Sequence, residues 1–86
     1  MKKILSNTQF CENLKRIRKK KGFTQEQVVT KLQLMGSPIS RSTYSLIEMG
    51  RGNIFVSDLV GLQQILEVEY EEFFRGIEVP RKSKDE

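Results

Sequence analysis

The chain has 86 residues, 37% of them hydrophobic and 30% charged, which is room for one domain and enough apolar material for a small core. It holds no His, no Trp and a single Cys. A His-based catalytic triad, a multi-His or multi-Cys metal site and an internal disulfide are therefore excluded by count, and neither an enzyme nor a cofactor is expected. The net charge of +4 conceals a division: residues 1–43 carry ten basic and two acidic groups, net +8, and residues 44–86 carry five and nine, net −4. A molecule polarised in this way offers one face to a polyanion, so nucleic acid is the leading expected partner and anionic membrane its rival. Apolar runs stop at three or four residues, which gives no secretory signal or membrane span. With one thiol, a reducing cytoplasm is the expected location.

In chain order, Ser6-Asn7-Thr8-Gln9 reads as a capping box, and Phe10, Leu14 and Ile17 follow as one stripe of an amphipathic helix that Gly22 ends. Thr24-Gln25-Glu26-Gln27 repeats the box, with Phe23 before the cap and Val28 placed to staple against it. The second helix carries Val28, Leu32 and Met35 and stops near Met35, ahead of Gly36-Ser37-Pro38. Ser40 caps a third helix from about Arg41 to Met49, and Ile39 is positioned to staple to Tyr44. Gly50-Arg51-Gly52-Asn53 is loop; its Gly-x-Gly has no strand before it and no third Gly, so it is not a nucleotide fingerprint. Ser57-Asp58 opens a fourth helix with Leu59, Leu62, Ile65 and Leu66 on its apolar face, and Tyr70, Phe73, Phe74 and Ile77 mark a short fifth. Only Ile54-Phe55-Val56 is β-prone, and three residues make no sheet. The expectation is an all-α fold, a compact five-helix bundle over residues 1–77, with a charged tail at 78–86.

The stretches from Leu14 through Gly22-Phe23-Thr24-Gln25-Glu26 to Val28, and from Ile39-Ser40-Arg41-Ser42-Thr43 through Ile47-Glu48 to Asn53, resemble the phage Cro/repressor-type (XRE-like) helix-turn-helix regulators. The resemblance runs over about residues 10 to 74 and implies a non-enzymatic, sequence-specific double-stranded-DNA-binding regulator of transcription, with the third helix in the major groove. Carried over position by position, it implies base contacts from Ser40, Arg41, Ser42, Thr43, Ser45 and Leu46. It implies phosphate contacts from Thr24, Gln25 and Arg51, to which Asn53 of the same loop is added, and a structural ion pair between Arg18 and Glu48. Two departures stand out: the turn between the second and third helices is several residues longer than the usual tight one, and Val29 stands where the family generally has Ala, both of which open the helix pair. Further on, Glu67 replaces the usual Gly at the end of the fourth helix and Glu69 a Ser or Asp cap.

Elementary geometry agrees with the resemblance. At 100° per residue, Tyr44 and Ile47 of the third helix point one way, and Ser42, Ser45, Leu46 and Met49 point away from them. Small polar side chains on that outward face suit entry into a groove about 12 Å wide, and Arg41 can donate two hydrogen bonds to guanine O6 and N7. Leu46 is the odd residue there, explained equally by a thymine methyl or by packing on the long turn. Arg18 follows Leu14 on the buried stripe and needs a partner such as Glu48. Cys11 is read as a small buried hydrophobe rather than a metal or redox group, and Lys19-Lys20-Lys21 as a solvated helix end.

A single recognition helix reads too few bases for specificity, so a homodimer is expected, with Tyr70 to Ile77 as the candidate contact. The alternative is a protein-binding adaptor of the same fold, such as an antitoxin or anti-repressor, which the acidic second half and Leu46 would serve. No membrane association and no small-molecule substrate are expected, because the first helix spends its apolar stripe on the core.

Overall fold

The computed structural model describes residues 3–4 and 8–78. Five helices follow one another: α1 (Thr8–Lys20), α2 (Gln25–Leu34), α3 (Arg41–Glu48), α4 (Val56–Leu66) and α5 (Tyr70–Phe74). The all-α five-helix bundle expected from the sequence is the architecture found. α1 packs on α3 and α5, and α2 packs on α3 and α4. The apolar stripes meet in one core whose fully buried members include Leu14, Val28, Tyr44, Leu62, Leu66 and Phe73. Cys11 lies in it as well, a buried thiol. The α4 to α2 contact is close, since a Cβ on Gly61 would stand 2.8 Å from Leu32 Cδ2.

The helix ends follow the cap chemistry. At α2, the Thr24 hydroxyl accepts from Gln27 N at 3.0 Å while Gln27 Oε1 accepts from Thr24 N at 2.9 Å, the reciprocal box that satisfies two otherwise orphaned donors. α2 stops at the cap Met35, where Gly36 takes φ +104° and the amides of Gly36 and Ser37 close onto Gln33 O and Leu32 O. That Schellman arrangement needs a residue at positive φ, which Gly supplies without strain. The Ser40 side chain caps α3 by accepting from Thr43 N at 3.1 Å. Gly36–Ile39 therefore forms the lengthened turn between the two caps. The capping box read at Ser6 lies outside the described residues, as does the tail beyond Glu78.

Two expectations are corrected. Ile54–Phe55 is a strand, β2, which pairs antiparallel with β1 (Lys3–Ile4) in the register Lys3 to Phe55 and Ile4 to Ile54. Backbone pairing, not side-chain periodicity, makes so short a ribbon. For the same reason α4 opens at Val56, one residue before Ser57: extended Phe55 runs from the ribbon into the helix and contributes no side-chain cap.

Glu67 ends α4 in the left-handed region, φ 55° and ψ 52°, where its amide donates to Gln63 O at 2.9 Å. This is the position at which the resemblance implies Gly, and an L-residue pays roughly 1–2 kcal/mol for that conformation. Glu67→Gly relieves the strain but adds unfolded-chain freedom, so it should stabilise the domain by up to about 1 kcal/mol. Thermal melting checks this: the midpoint rises, and an unchanged or lower midpoint contradicts the strain.

Candidate nucleic-acid interface

α3 turns Tyr44, Ile47 and Glu48 inward. Ser42, Leu46 and Met49 therefore face out, with Leu46 41% and Met49 56% exposed. The helix is tied down by the inward residues. Arg18 Nε donates to Glu48 Oε2 at 2.6 Å and Arg18 Nη2 to Glu48 Oε1 at 3.0 Å, a two-pronged pair between buried side chains. Tyr44 O–H also donates to Glu48 Oε2 at 2.6 Å, and Arg18 Nη1 donates to Phe23 O at 2.8 Å. The ion pair implied by the resemblance is thus present.

The electrostatics follow from this arrangement. Burial alone pushes the Glu48 carboxyl up, but hydrogen bonds from Arg18, Tyr44 and Gln25, with the Arg18 charge, outweigh it and hold the group below the usual carboxylate value. The hydrogen bond to Glu48 raises Arg18, against the effect of burial. Burial, then the bond to Glu48, lifts the Tyr44 phenol well above its ordinary range.

The network continues to the surface. Gln25 Nε2 donates to Glu48 Oε1 at 3.0 Å, and Gln25 Oε1 accepts from Arg41 Nε at 3.1 Å. One chain of bonds therefore runs from Arg18 through Glu48 and Gln25 to Arg41, the first residue of α3. Its last link leaves the outer Nη hydrogens of Arg41 for a further acceptor. Glu26 Oε1 stands 3.9 Å from Arg41 Nη1, with both side chains exposed, an ion pair of little weight in water.

The remaining site residues divide by location. Ser40 and Ser42 hydroxyls lie 3.3 Å apart, and Ser40 Oγ donates to Thr43 Oγ1 at 3.0 Å, so Ser40 is largely committed to its cap. Ser45 is half-buried and lies 3.9 Å from the Met49 sulfur. Thr43 sits on the opposite flank of α3 from Arg41, where it lines a hollow with Ser40 and exposed Asn53. Arg51 is exposed, and its amide closes the Schellman turn at the α3 C-terminus onto Leu46 O. Arg41, Ser42, Leu46 and Arg51 thus share the outer surface of the α3 region. Thr24 stands at the exposed start of α2, and the Gln25 side chain is occupied at both ends within the protein.

Met49 lies on the outward face, as its helical spacing indicates. Sequence reasoning missed two features. Buried Asn13 donates from Nδ2 to Phe73 O at 2.9 Å and Arg75 O at 2.8 Å, tying α1 to the end of α5; a polar residue beside the apolar stripe was the available signal. Gln25 as a bridge had no signal in the sequence.

Among the described residues no cluster of His, Cys, Asp and Glu could hold a metal ion, and no helix is long and apolar enough to cross a membrane. A helix-turn-helix family profile matches residues 14–73. No curated protein matches the chain significantly. Among solved structures, the chain is similar to the restriction-modification controller protein C.AhdI from Aeromonas hydrophila, with 25% identity and a TM-score of 0.67 over 78% of this chain and 94% of that one. With the bundle, the caps and the outward face of α3 in place, the chain belongs to the helix-turn-helix family and is a DNA-binding regulator of transcription.

Proposed function

We propose that the protein binds specific double-stranded DNA sites as a homodimer in the cytoplasm, with α3 in the major groove and no catalytic step. The observation that carries this reading is the bonded chain from Arg18 to Arg41, which holds a guanidinium at the start of an exposed helix before DNA arrives. Arg41 then meets guanine O6 and N7, Ser42 and Ser45 reach neighbouring base edges, and Leu46 covers a thymine methyl. Ser40 and Thr43 act mainly by holding the first turn of α3, with Thr43 and Asn53 beside the flanking backbone. Thr24 and the free amides of the first turn of α2 meet phosphate, as helix N-termini do, and Arg51 meets it from the loop. Likeness to a controller protein supports a regulatory role.

Selection from randomised duplexes tests the reading. A two-fold symmetric consensus with half-sites about 34 Å apart supports it, and recovery of no consensus overturns it. Tyr70 and Phe74 are exposed on α5, and Phe74 stacks on Phe10 at 5.8 Å between centroids. They form the proposed dimer contact.

Two smaller effects should accompany binding. Gln25→Ala keeps both the charge and the duplex contacts of Arg41 but releases its Nε anchor. An ordering cost of about 0.5–1.5 kcal/mol is then shifted to the binding step, and affinity for the selected site falls about 2- to 10-fold. Fluorescence anisotropy reads it, and unchanged affinity contradicts the positioning role. Arg51→Ala should weaken binding alike on all sequences and reduce the slope of log K against log salt by about one, measured as a salt series on selected and random duplexes.

A further inference from the structure

Between the end of α2, the Gly36–Ile39 turn and the start of α4 lies a cavity of about 360 Å³. A second, of about 210 Å³, adjoins it against α3, and Pro38, Phe55 and Asp58 wall both. The larger cavity is mainly apolar, walled also by Leu32, Met35, Val60 and Gly61, with Ser37, Ser57 and Gln64 as its other polar members. Met35, Phe55 and Val60 are exposed around its mouth.

Asp58 is the chemical feature of this hollow. It is only 5% exposed, and among the described residues no hydrogen bond or ion pair reaches its carboxylate. No side-chain oxygen sealed from solvent lacks a partner, so the Asp58 oxygens keep some contact with solvent, and the residue lines both cavities. The N-terminal turn of α4 favours a negative charge there, yet a carboxylate among apolar walls is better satisfied by a cation than by a neutral group. One carboxylate with aliphatic and aromatic neighbours is a poor cage for Ca²⁺ or Mg²⁺, which require several oxygens. It suits a charge carried on an apolar body.

We infer that this cavity binds a hydrophobic organic cation, an amine or guanidine whose charged head meets Asp58 and whose apolar part covers Met35, Phe55 and Val60. The larger volume lies at the lower end of the range for small-molecule pockets, and the smaller one adjoins it. The occupant also presses on the turn that carries the cap of α3, since Pro38 walls the cavity and Gln33 Nε2 holds Ile39 O at 2.8 Å one residue before Ser40. Binding there changes the free energy of placing α3, and therefore the affinity for DNA, by a reciprocal factor. This coupling rests on the DNA-reading role of α3 proposed above; the site itself does not.

Titration of the full chain with 4-phenylbutylammonium and its neutral analogue 4-phenylbutanol, followed by methyl and amide NMR, tests the site. The cation should bind about tenfold or more tightly than the alcohol, as a charged hydrogen-bonding pair implies, with shifts centred on Leu32, Met35 and Val60. Asp58→Asn, with its fold checked by circular dichroism, should abolish the preference for the cation, and Val60→Ala should weaken both probes. Equal binding of the two probes to the native chain, no binding of either, shifts centred elsewhere, or a preference that survives Asp58→Asn overturns the site. An anisotropy titration with the selected duplex at saturating cation then tests the coupling. A changed DNA affinity supports it, and an unchanged one overturns it. Cation binding at Asp58 in a chain that selects no duplex would refute the DNA reading and leave the site standing.

Discussion

Glu48→Ala should lower the free energy of unfolding by about 3–5 kcal/mol, the cost of leaving a buried charge without its partner. In a domain of this size that is a melting midpoint lower by roughly 15–30 °C. The prediction is large because Glu48 is the hub of four hydrogen bonds from Arg18, Tyr44 and Gln25. Its loss strands the Arg18 guanidinium and the Tyr44 hydroxyl together, and it unties α3 from α1. Calorimetry of the variant beside Arg18→Met/Glu48→Leu distinguishes charge from volume, since replacing both partners with apolar groups is often neutral or stabilising. A single variant that melts within a few degrees of the native chain contradicts the assignment.

The same group sets an acid limit. Glu48 is held below its ordinary value of 4.5 in the folded chain, so the unfolded chain binds this proton more readily than the folded one. Its contribution to stability is therefore complete above about pH 4.5 and is lost as pH falls through the lower, folded value. Melting midpoints across this range should fall on acidification more steeply in the native chain than in the doubly apolar variant.

Arg41→Ala should cost about 1–3 kcal/mol on the selected site, roughly 5- to 150-fold in affinity, and flatten the preference at one base pair of each half-site. The guanidinium begins α3, is anchored at Nε by Gln25, and has only an exposed, loose ion pair with Glu26 to give up on binding. Competition with duplexes substituted singly at each position separates readout from charge. A loss confined to one guanine supports the role, whereas equal loss on selected and random DNA makes Arg41 a phosphate contact.

The fold was legible wherever a local rule decided it. Thr24 and Gln27 are three residues apart and cap each other; Ser40 caps its own helix; Gly36 ends α2 because its backbone can take positive φ. Arg18 and Glu48 stand 30 residues apart, and only the resemblance joined them. The role of Gln25 escaped for a physical reason. The first turn of a helix is an anion site by default, and that rule speaks of backbone amides, not of where the Gln25 side chain goes. Its side chain bends to Glu48 and Arg41 because α2 and α3 cross there, which no spacing within α2 reveals. The β1 to β2 ribbon escaped because two-residue strands have no alternation to read. Asp58 is legible as a first-turn acid of α4, but its burial, beside the long turn that lines the same cavities, is not.

The most direct measurement is amide chemical-shift mapping of the full chain with its selected duplex. The account predicts the largest changes at Arg41, Ser42, Ser45, Leu46 and Met49 and the first turn of α2, with the outer faces of α4 and α5 changed only by dimer contacts. Changes concentrated on the lysine-rich end of α1 or on the acidic α5, with the outward face of α3 silent, contradict it.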